Sequence, residues 1–354
     1  MSVQPTIFYQ KEAFNQLGIY LSTQSVSKLF ILVDENTKKH CLPLLTEKCE
    51  HPFSLIEIKS GEVHKNLTTS QYIWQELTDK GAERNSLVLN LGGGVITDMG
   101  GFCAATFKRG IGFINIPTTL LGMVDAAIGG KTGIDFNGLK NQIGLFSNPK
   151  MVLLIPEFLV TLPVRELLSG LAEVIKYGLI DDTSIWETIK GFNTRKPSVS
   201  FEIIQKSIQI KERIVQQDPK EKGVRKTLNF GHTLGHAIET HFLSKSKNEH
   251  LLHGEAVAIG MILAVHLSFQ TQGLPLEIVH KISTVLKEIY ASTIPSKITT
   301  DDYQPIFDLL KHDKKNDKGK ANFILLSSIG EAVLDCQISE NEILKAFTYY
   351  NLLF

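Results

Sequence analysis

The stretch from Arg225 to Glu255 reads R-K-T-L-N-F-G-H-T-L-G-H-A-I-E, then a polar loop, then H-G-E. Five histidines, three glutamates, an arginine and two asparagines fall within it, among apolar residues at helical spacing. His232 and His236 are four apart, so a helix presents both rings on one face. Leu234, Ala237 and Ile238 beside them are apolar, which buries that helix wholly or in part. Two imidazoles on a buried face need partners. Either hydrogen bonds satisfy them, as for most core histidines, or they hold a metal. His253 opens a second apolar helix, and a separate helix, Glu166 to Ile180, carries Glu173 and Lys176 in L-A-E-V-I-K-Y. Two imidazoles and one carboxylate around an open position make a catalytic zinc arrangement, able to polarise an oxygen of a substrate. Spacing by itself favours His232 with His236 as the imidazole pair.

The elements that must carry these groups differ between the two halves of the chain. Leu29 to Val33, Phe53 to Ile58, Ser86 to Leu91, Phe113 to Ile116 and Met151 to Pro156 read as strands. Helical stretches separate several of them, including Thr69 to Lys80, which Gly81 closes. Such alternation predicts a parallel α/β sheet with helices on both faces. After it, Arg165 to Ile180, Ile203 to Gln217, Lys226 to Phe242, His253 to Gln270 and Leu276 to Ile289 show apolar residues every three to four positions. A small hairpin follows, Ala321 to Ser327 with Glu331 to Leu334. The expected division is an α/β domain over residues 1–156 and a mostly helical domain over 157–354.

Ligands of a parallel sheet bind at the carboxyl ends of its strands. Those ends carry Asp34 and Asn36, then Ser60-Gly61-Glu62, then Gly92-Gly93-Gly94, then Thr118-Thr119. A glycine turn from strand to helix lets the backbone approach a pyrophosphate, whose charge the helix N-terminus favours. The same turn can need glycine for geometry alone. From Asp125 to Pro149 the chain is Gly-rich and reads as a loop carrying Lys131, Lys140 and Asn141. I-G-G-K-T-G is not a P-loop, because Asp125 stands where the first glycine of that motif must be.

Bulk composition narrows the function classes. The 354 residues hold 37 Lys+Arg and 37 Asp+Glu, and this zero net charge argues against nucleic acid as the partner. The four cysteines form no C-x-x-C pair, so a cysteine zinc site is not expected. No signal sequence and no membrane span are expected, and a cytoplasmic location follows as the default.

Longer motifs carry a family resemblance. G-G-G-V-I-T-D-M-G-G-F, I-P-T-T-L-L-G-M-V-D-A-A-I-G-G-K-T-G, G-L-K-N-Q-I-G, S-G-L-A-E-V-I-K-Y-G, L-N-F-G-H-T-L-G-H-A-I-E, H-G-E-A-V-A and D-K-K-N occur in this order. Together they resemble the 3-dehydroquinate synthases, over roughly residues 30–330. The resemblance implies a Rossmann-like NAD-binding α/β domain, a mainly helical C-terminal metal-binding domain and a homodimer. It also implies conversion of 3-deoxy-D-arabino-heptulosonate 7-phosphate to 3-dehydroquinate and phosphate, with NAD and zinc or cobalt. Metal ligands of the family match Glu173, His232 and His253, which moves His236 from the metal to the substrate. The resemblance gives substrate contacts to Lys131, Lys140, Asn141, Lys176, Lys211, Arg225, Asn229, His236 and Lys314, in preference to Lys315. Arg109 matches an arginine that reaches the phosphate, and Asp125 and Glu221 match carboxylates of the site. For the cofactor it implies Asp34, Asn36, Glu62, Lys65, Gly93, Gly94, Val95, Asp98, Thr118, Thr119, Lys131, Lys140, Phe158 and Thr161. Thr97 stands where many members carry glycine, a change that a negative φ tolerates. Other sugar phosphate cyclases and metal-dependent polyol dehydrogenases share the architecture and are the competing expectations.

Overall fold

The computed structural model describes residues 5–49, 51–295, 297–311 and 322–354, so Lys314 and Lys315 lie outside the described residues. Two compact units divide the chain, Met1–Pro163 and Val164–Phe354. The first unit ends at Pro163, where the sequence reading places the division near residue 156. The short 3-10 turn Pro156–Thr161 belongs to the first unit.

The first unit is built on six parallel strands: β1 (Thr6–Tyr9), β2 (Leu29–Asp34), β3 (Ser54–Ile58), β4 (Leu87–Gly92), β5 (Gly112–Pro117) and β8 (Met151–Leu154). Their order is β1-β8-β5-β4-β2-β3. β4 is buried at every residue, as a strand covered on both faces must be. That requirement explains why L-V-L-N-L-G runs apolar without alternation. The exception is Asn90, whose amide donates to Asn115 of β5 at 2.9 Å, so each buried side chain helps satisfy the other. From β2 the chain passes to β3 at one edge and then returns to β4 on the other side of β2. This reversal opens a crevice at the carboxyl ends of β2 and β4, the ligand position of doubly wound sheets. Helices α1 (Gln10–Thr23), α2 (Glu35–His40), α3 (Leu42–Lys48), α4 (Leu67–Asp79) and α5 (Gly94–Thr106) connect the strands.

The Gly-rich stretch is not a loop. It forms an antiparallel hairpin of β6 (Lys131–Phe136) and β7 (Leu139–Phe146), with Gly133 directly opposite Gly144. Ile134 is buried in one core with Phe102 and Phe113, and Ile143 and Leu145 pack against it. The glycine pair at the middle of the hairpin interrupts the alternation that marks a strand.

The second unit comprises α6 (Val164–Ile180), α7 (Thr183–Ile189), α8 (Phe201–Gln217), α9 (His232–Leu243), α10 (His253–Gln272), α11 (Leu276–Tyr290), α12 (Thr300–Lys311), β9 (Asn322–Ser328), β10 (Glu331–Gln337) and α13 (Glu340–Leu353). β9 and β10 pair as the expected antiparallel hairpin. The sequence reading assigns nothing to β1, α1, α7, α12 or α13. α10 packs against α6, α9, α11, α13 and β9. Its mean hydropathy of 1.3 and 20-residue length would suit a membrane span, but 78% of that window is buried inside the protein. It is the core helix of this unit, apolar all round because it is covered all round.

One expected helix is broken. Lys226 to Phe242 divides into a 3-10 turn, Val224–Asn229, and α9, because Gly231 at φ +76° takes a left-handed conformation that ends one and starts the other. Phe230, Leu234 and Ile238 keep four-residue apolar spacing across the break, so periodicity does not reveal it.

Asp302 fastens α12 to the end of α9. Its carboxylate lies 2.8 Å from His241 Nε2 and 2.5 Å from Lys245 Nζ, and accepts from Thr299 N and Oγ at 2.8 Å. Burial would raise its pKa, but the bonds from Lys245, His241 and Thr299 outweigh burial and hold it well below the carboxylate range. A depressed carboxyl stabilises the fold above its unfolded pKa and loses that contribution as pH falls. Asp302→Ala should cost roughly 3 kcal/mol at pH 7, the low end for removing one partner of a buried ion pair. Urea unfolding should show this gap narrowing from about pH 5 to pH 3, through the unfolded Asp value near 3.9.

Candidate active site

Three segments of the second unit converge on Glu173. α6 carries it with no exposed surface. One turn later on the same face, Lys176 pairs with Glu173 Oε2 and is 1% exposed. His232, the first residue of α9, brings Nε2 to 3.2 Å from Oε1. His253, the first residue of α10, brings Nε2 to 3.6 Å from the same oxygen. Both oxygens are buried and accept no well-formed hydrogen bond, although three nitrogens crowd them. Burial would raise the Glu173 pKa, but Lys176 and His232 hold it well below the ordinary range. Burial and Lys176 push His232 down, against the pull of Glu173.

The far nitrogens of both rings are engaged. His232 Nδ1 lies 3.0 Å from the Phe230 carbonyl, and His253 Nδ1 lies 3.1 Å from Glu239 Oε2. A proton on each Nδ1 leaves the Nε2 lone pairs aimed at Glu173. Tetrahedral zinc with bonds near 2.1 Å spaces its donors by about 3.4 Å. The nitrogen to oxygen distances bracket that value, and the donor set of two imidazoles and a carboxylate suits the ion. The residues therefore fit a divalent metal. His236 completes a cluster of three imidazoles whose donor atoms lie within 4.8 Å of one another, its ring 5.1 Å from that of His232 and 5.7 Å from that of His253.

The H-G-E motif explains itself here. His253 faces Glu173. Gly254 lies so close to α6 that a Cβ would stand 1.9 Å from the Ser169 carbonyl oxygen, and its N–H donates to Ser169 Oγ at 3.0 Å. Glu255 has no exposed surface, accepts from Leu252 N at 2.8 Å and receives Arg165 Nε and Nη2 at 2.7 Å each. This bidentate pair joins the first turns of α6 and α10, the two helices that present Glu173 and His253. Sequence reasoning missed Glu239, Glu255 and Ser169. Glu239 was detectable in principle, seven residues after His232 and so on the same face of α9.

The other predicted residues of this unit lie on three neighbouring elements. Lys211 on α8 is 6% exposed, and Arg225 in the 3-10 turn is 2% exposed. Asp218 builds that turn by accepting the N–H groups of Lys222, Gly223 and Arg225 at 3.0, 2.7 and 3.1 Å. Arg225 Nη1 donates to the Pro219 carbonyl at 2.9 Å, and Asn229 donates to Glu221 at 2.6 Å. Buried cations in fixed geometry suit the recognition of carboxylate and phosphate.

In the first unit, Glu62, Lys65, Asp98, Lys140 and Asn141 form one cluster of ion pairs and hydrogen bonds. Lys65 Nζ lies 2.6 Å from Asp98 and 2.8 Å from the Asn141 side chain, while Lys140 lies 2.9 Å from Glu62. Burial opposes the Lys65 charge, but Asp98, Glu62 and Asp135 outweigh it and raise its pKa. The N-cap of α5 is Gly93, which has no side chain to cap the helix, in contrast to Asp34 on α2 and Asn66 on α4. Its first N–H groups therefore suit a pyrophosphate. Val95 follows in the first turn of α5. Thr97 lies within this helix and donates to the Gly94 carbonyl at 3.2 Å. The Asp34 carboxylate caps α2 through Thr37 at 2.8 Å, and Asn36 is exposed on that helix. Thr118 is buried, and Thr119 Oγ accepts from Gly122 N at 3.0 Å. Asp125 sits in a π-turn, Gly122–Ala126.

Not every predicted residue joins the cluster. Lys131 is exposed and pairs with Phe146 at the open end of the hairpin. Phe158 is buried, Thr161 is exposed, and Arg109 stands exposed on left-handed backbone at φ +69°.

Family comparisons cover both units. The 3-dehydroquinate synthase N-terminal profile matches residues 55–169 and the 3-dehydroquinate synthase C-terminal profile matches residues 170–316. The chain belongs to the 3-dehydroquinate synthase family. It is 43% identical to the 3-dehydroquinate synthase of Parabacteroides distasonis over 96% of each chain, and 42% identical to that of Pyrococcus furiosus over 92% of this chain and 93% of the relative. Among solved structures it resembles the 2-epi-5-epi-valiolone synthase of Streptomyces hygroscopicus, which holds NAD+ and Zn2+, with a TM-score of 0.87, 26% identity and coverage of 99% and 97%. The glycerol dehydrogenase of Schizosaccharomyces pombe shares the fold at a TM-score of 0.65, 14% identity and coverage of 100% and 90%. H-G-E-A-V-A thus coincides with a close approach of α10 to α6. Gly254→Ala should destabilise by roughly 2–3 kcal/mol through overpacking. Gly18→Ala, inside α1 with nothing within 4 Å of its added methyl, should stabilise by about 0.5–1 kcal/mol in the same urea titrations.

Proposed function

We propose that this protein converts 3-deoxy-D-arabino-heptulosonate 7-phosphate to 3-dehydroquinate and phosphate, with bound NAD and one zinc or cobalt ion, as a homodimer in the cytoplasm. The observation that carries this reading is the convergence of His232 and His253 on the buried Glu173 carboxylate, in a chain that matches 3-dehydroquinate synthases along nearly its whole length. When bound, the metal supplies Lewis-acid polarisation of a substrate hydroxyl and NAD supplies a reversible two-electron oxidation. Substrate and products balance without net oxidation, so the cofactor is regenerated in each turnover.

Glu173, His232 and His253 hold the ion in this reading, and His236 faces the substrate. Lys176, anchored by Glu173, places a positive charge beside the ion. Lys211 and Arg225 receive carboxylate or phosphate oxygens, with Asn229 oriented by Glu221. The α5 N-terminus receives the pyrophosphate of NAD at Gly93 and Gly94, and Asp98 is fixed by Lys65 beside it. Asp34 and Asn36 lie at the neighbouring strand end, towards the adenosine. Phe158 and Thr161 complete the cofactor residues of this reading. Lys131, Asp125, Arg109 and Lys314 remain substrate contacts on the strength of the family motifs.

Incubation of the heptulosonate phosphate with catalytic NAD tests this directly. Inorganic phosphate and dehydroquinate should form without accumulation of reduced NAD, and a chelator should abolish both. Stoichiometric reduced NAD without phosphate would instead indicate a polyol dehydrogenase. Turnover of a different sugar phosphate alone would indicate a sister cyclase. His236→Ala should keep one metal per chain by elemental analysis while kcat/KM falls by about 10²-fold or more.

A further inference from the structure

The two imidazoles that face Glu173 are held from behind by different chemistry. Phe230 offers His232 a neutral backbone carbonyl, fixed by the left-handed turn at Gly231. His253 instead meets a carboxylate, Glu239 Oε2, at 3.1 Å. Glu239 comes from α9 and is 2% exposed, so it reaches from the helix that carries His232 to the ring that opens α10. A buried carboxylate facing Nδ1 fixes the proton there, aims Nε2 at Glu173 and makes that nitrogen a stronger donor. A carbonyl fixes the tautomer with much less of the charge effect.

We infer that Glu239 is the positioning residue of His253 and a determinant of how tightly and in what ligand field the divalent ion is held. This rests on the reading of Glu173, His232 and His253 as ligands. Glu239 acts on the ion through the ring, and the same hydrogen bond joins α9 to α10.

Zinc affinity of the metal-free full-length protein, measured by competition with a chromophoric chelator, tests the inference together with the visible spectrum of the cobalt form. Glu239→Gln keeps the shape and removes the charge. It should weaken zinc binding about tenfold, and Glu239→Ala up to about a hundredfold, the range for removing such a partner of a ligating histidine. The cobalt bands should shift in both, which loss of stability alone would not produce. Asp302→Asn, which alters a buried carboxylate outside the site, should leave zinc affinity and cobalt bands unchanged. A loss below about threefold in Glu239→Gln, with cobalt bands as in the wild type, overturns the inference. If Glu239→Ala does not fold, Glu239→Gln alone decides. Failure of the wild-type protein to take up zinc or cobalt would overturn the metal-centre reading, and the inference with it.

Discussion

Burying the ionised side chain of Glu173 is the constraint around which the second unit is arranged. Removing a carboxylate from water costs several kcal/mol unless opposite charge and polar groups replace the lost hydration. Lys176 supplies part of that replacement from one turn along the same helix. The remainder is arranged from α9 and α10, whose first residues are both histidines. Starting two helices at one point brings their ends within reach of a single oxygen. It also demands close backbone approach, which Gly254 permits against α6. The cap of α10 by Glu255, braced by Arg165, sets where that helix begins. A site that leaves both oxygens of a buried carboxylate without well-formed hydrogen bonds stores electrostatic free energy that a bound cation can recover.

The first unit meets a related problem differently. Lys65 is buried too, but it is surrounded by Asp98, Glu62 and Asp135 with Asn141 accepting a further bond. Here the network is closed by protein groups, so it orients Asp98 rather than waiting for an ion. Polar capacity left for a ligand lies instead in the backbone at the start of α5. The reversal of strand order at β2 and β4 is what opens that helix end to a crevice.

Much of this was legible in the sequence wherever it is written locally. Strands β2 to β5 and β8 are short apolar runs between turn residues, helices α6, α8 and α11 carry plain three-to-four periodicity, and α10 is a long apolar run. Where local signal fails, the causes are specific. The β6–β7 hairpin uses facing glycines in place of alternating side chains. The helix expected from Lys226 to Phe242 is interrupted by one left-handed glycine that leaves the apolar spacing intact. β1 is four residues long and pairs with a strand more than 140 positions later (151 − 6 = 145), so nothing nearby marks it.

The site shows the same division. Residue types and order determined the family, the two-part architecture and the candidate groups, because motifs such as L-N-F-G-H-T-L-G-H-A-I-E are contiguous in the chain. Spacing favoured His232 with His236, since a helix puts residues four apart on one face and sequence carries no other distance. Only the tertiary structure decided that Glu173, 59 residues before His232 (232 − 173 = 59), faces the Nε2 atoms of His232 and His253. It alone showed Glu239 behind His253, and Glu255 with Arg165 at the helix starts. Those relations depend on how α6, α9 and α10 pack against one another. Packing is set by side-chain volume and backbone approach summed over many residues, which a linear pattern does not contain.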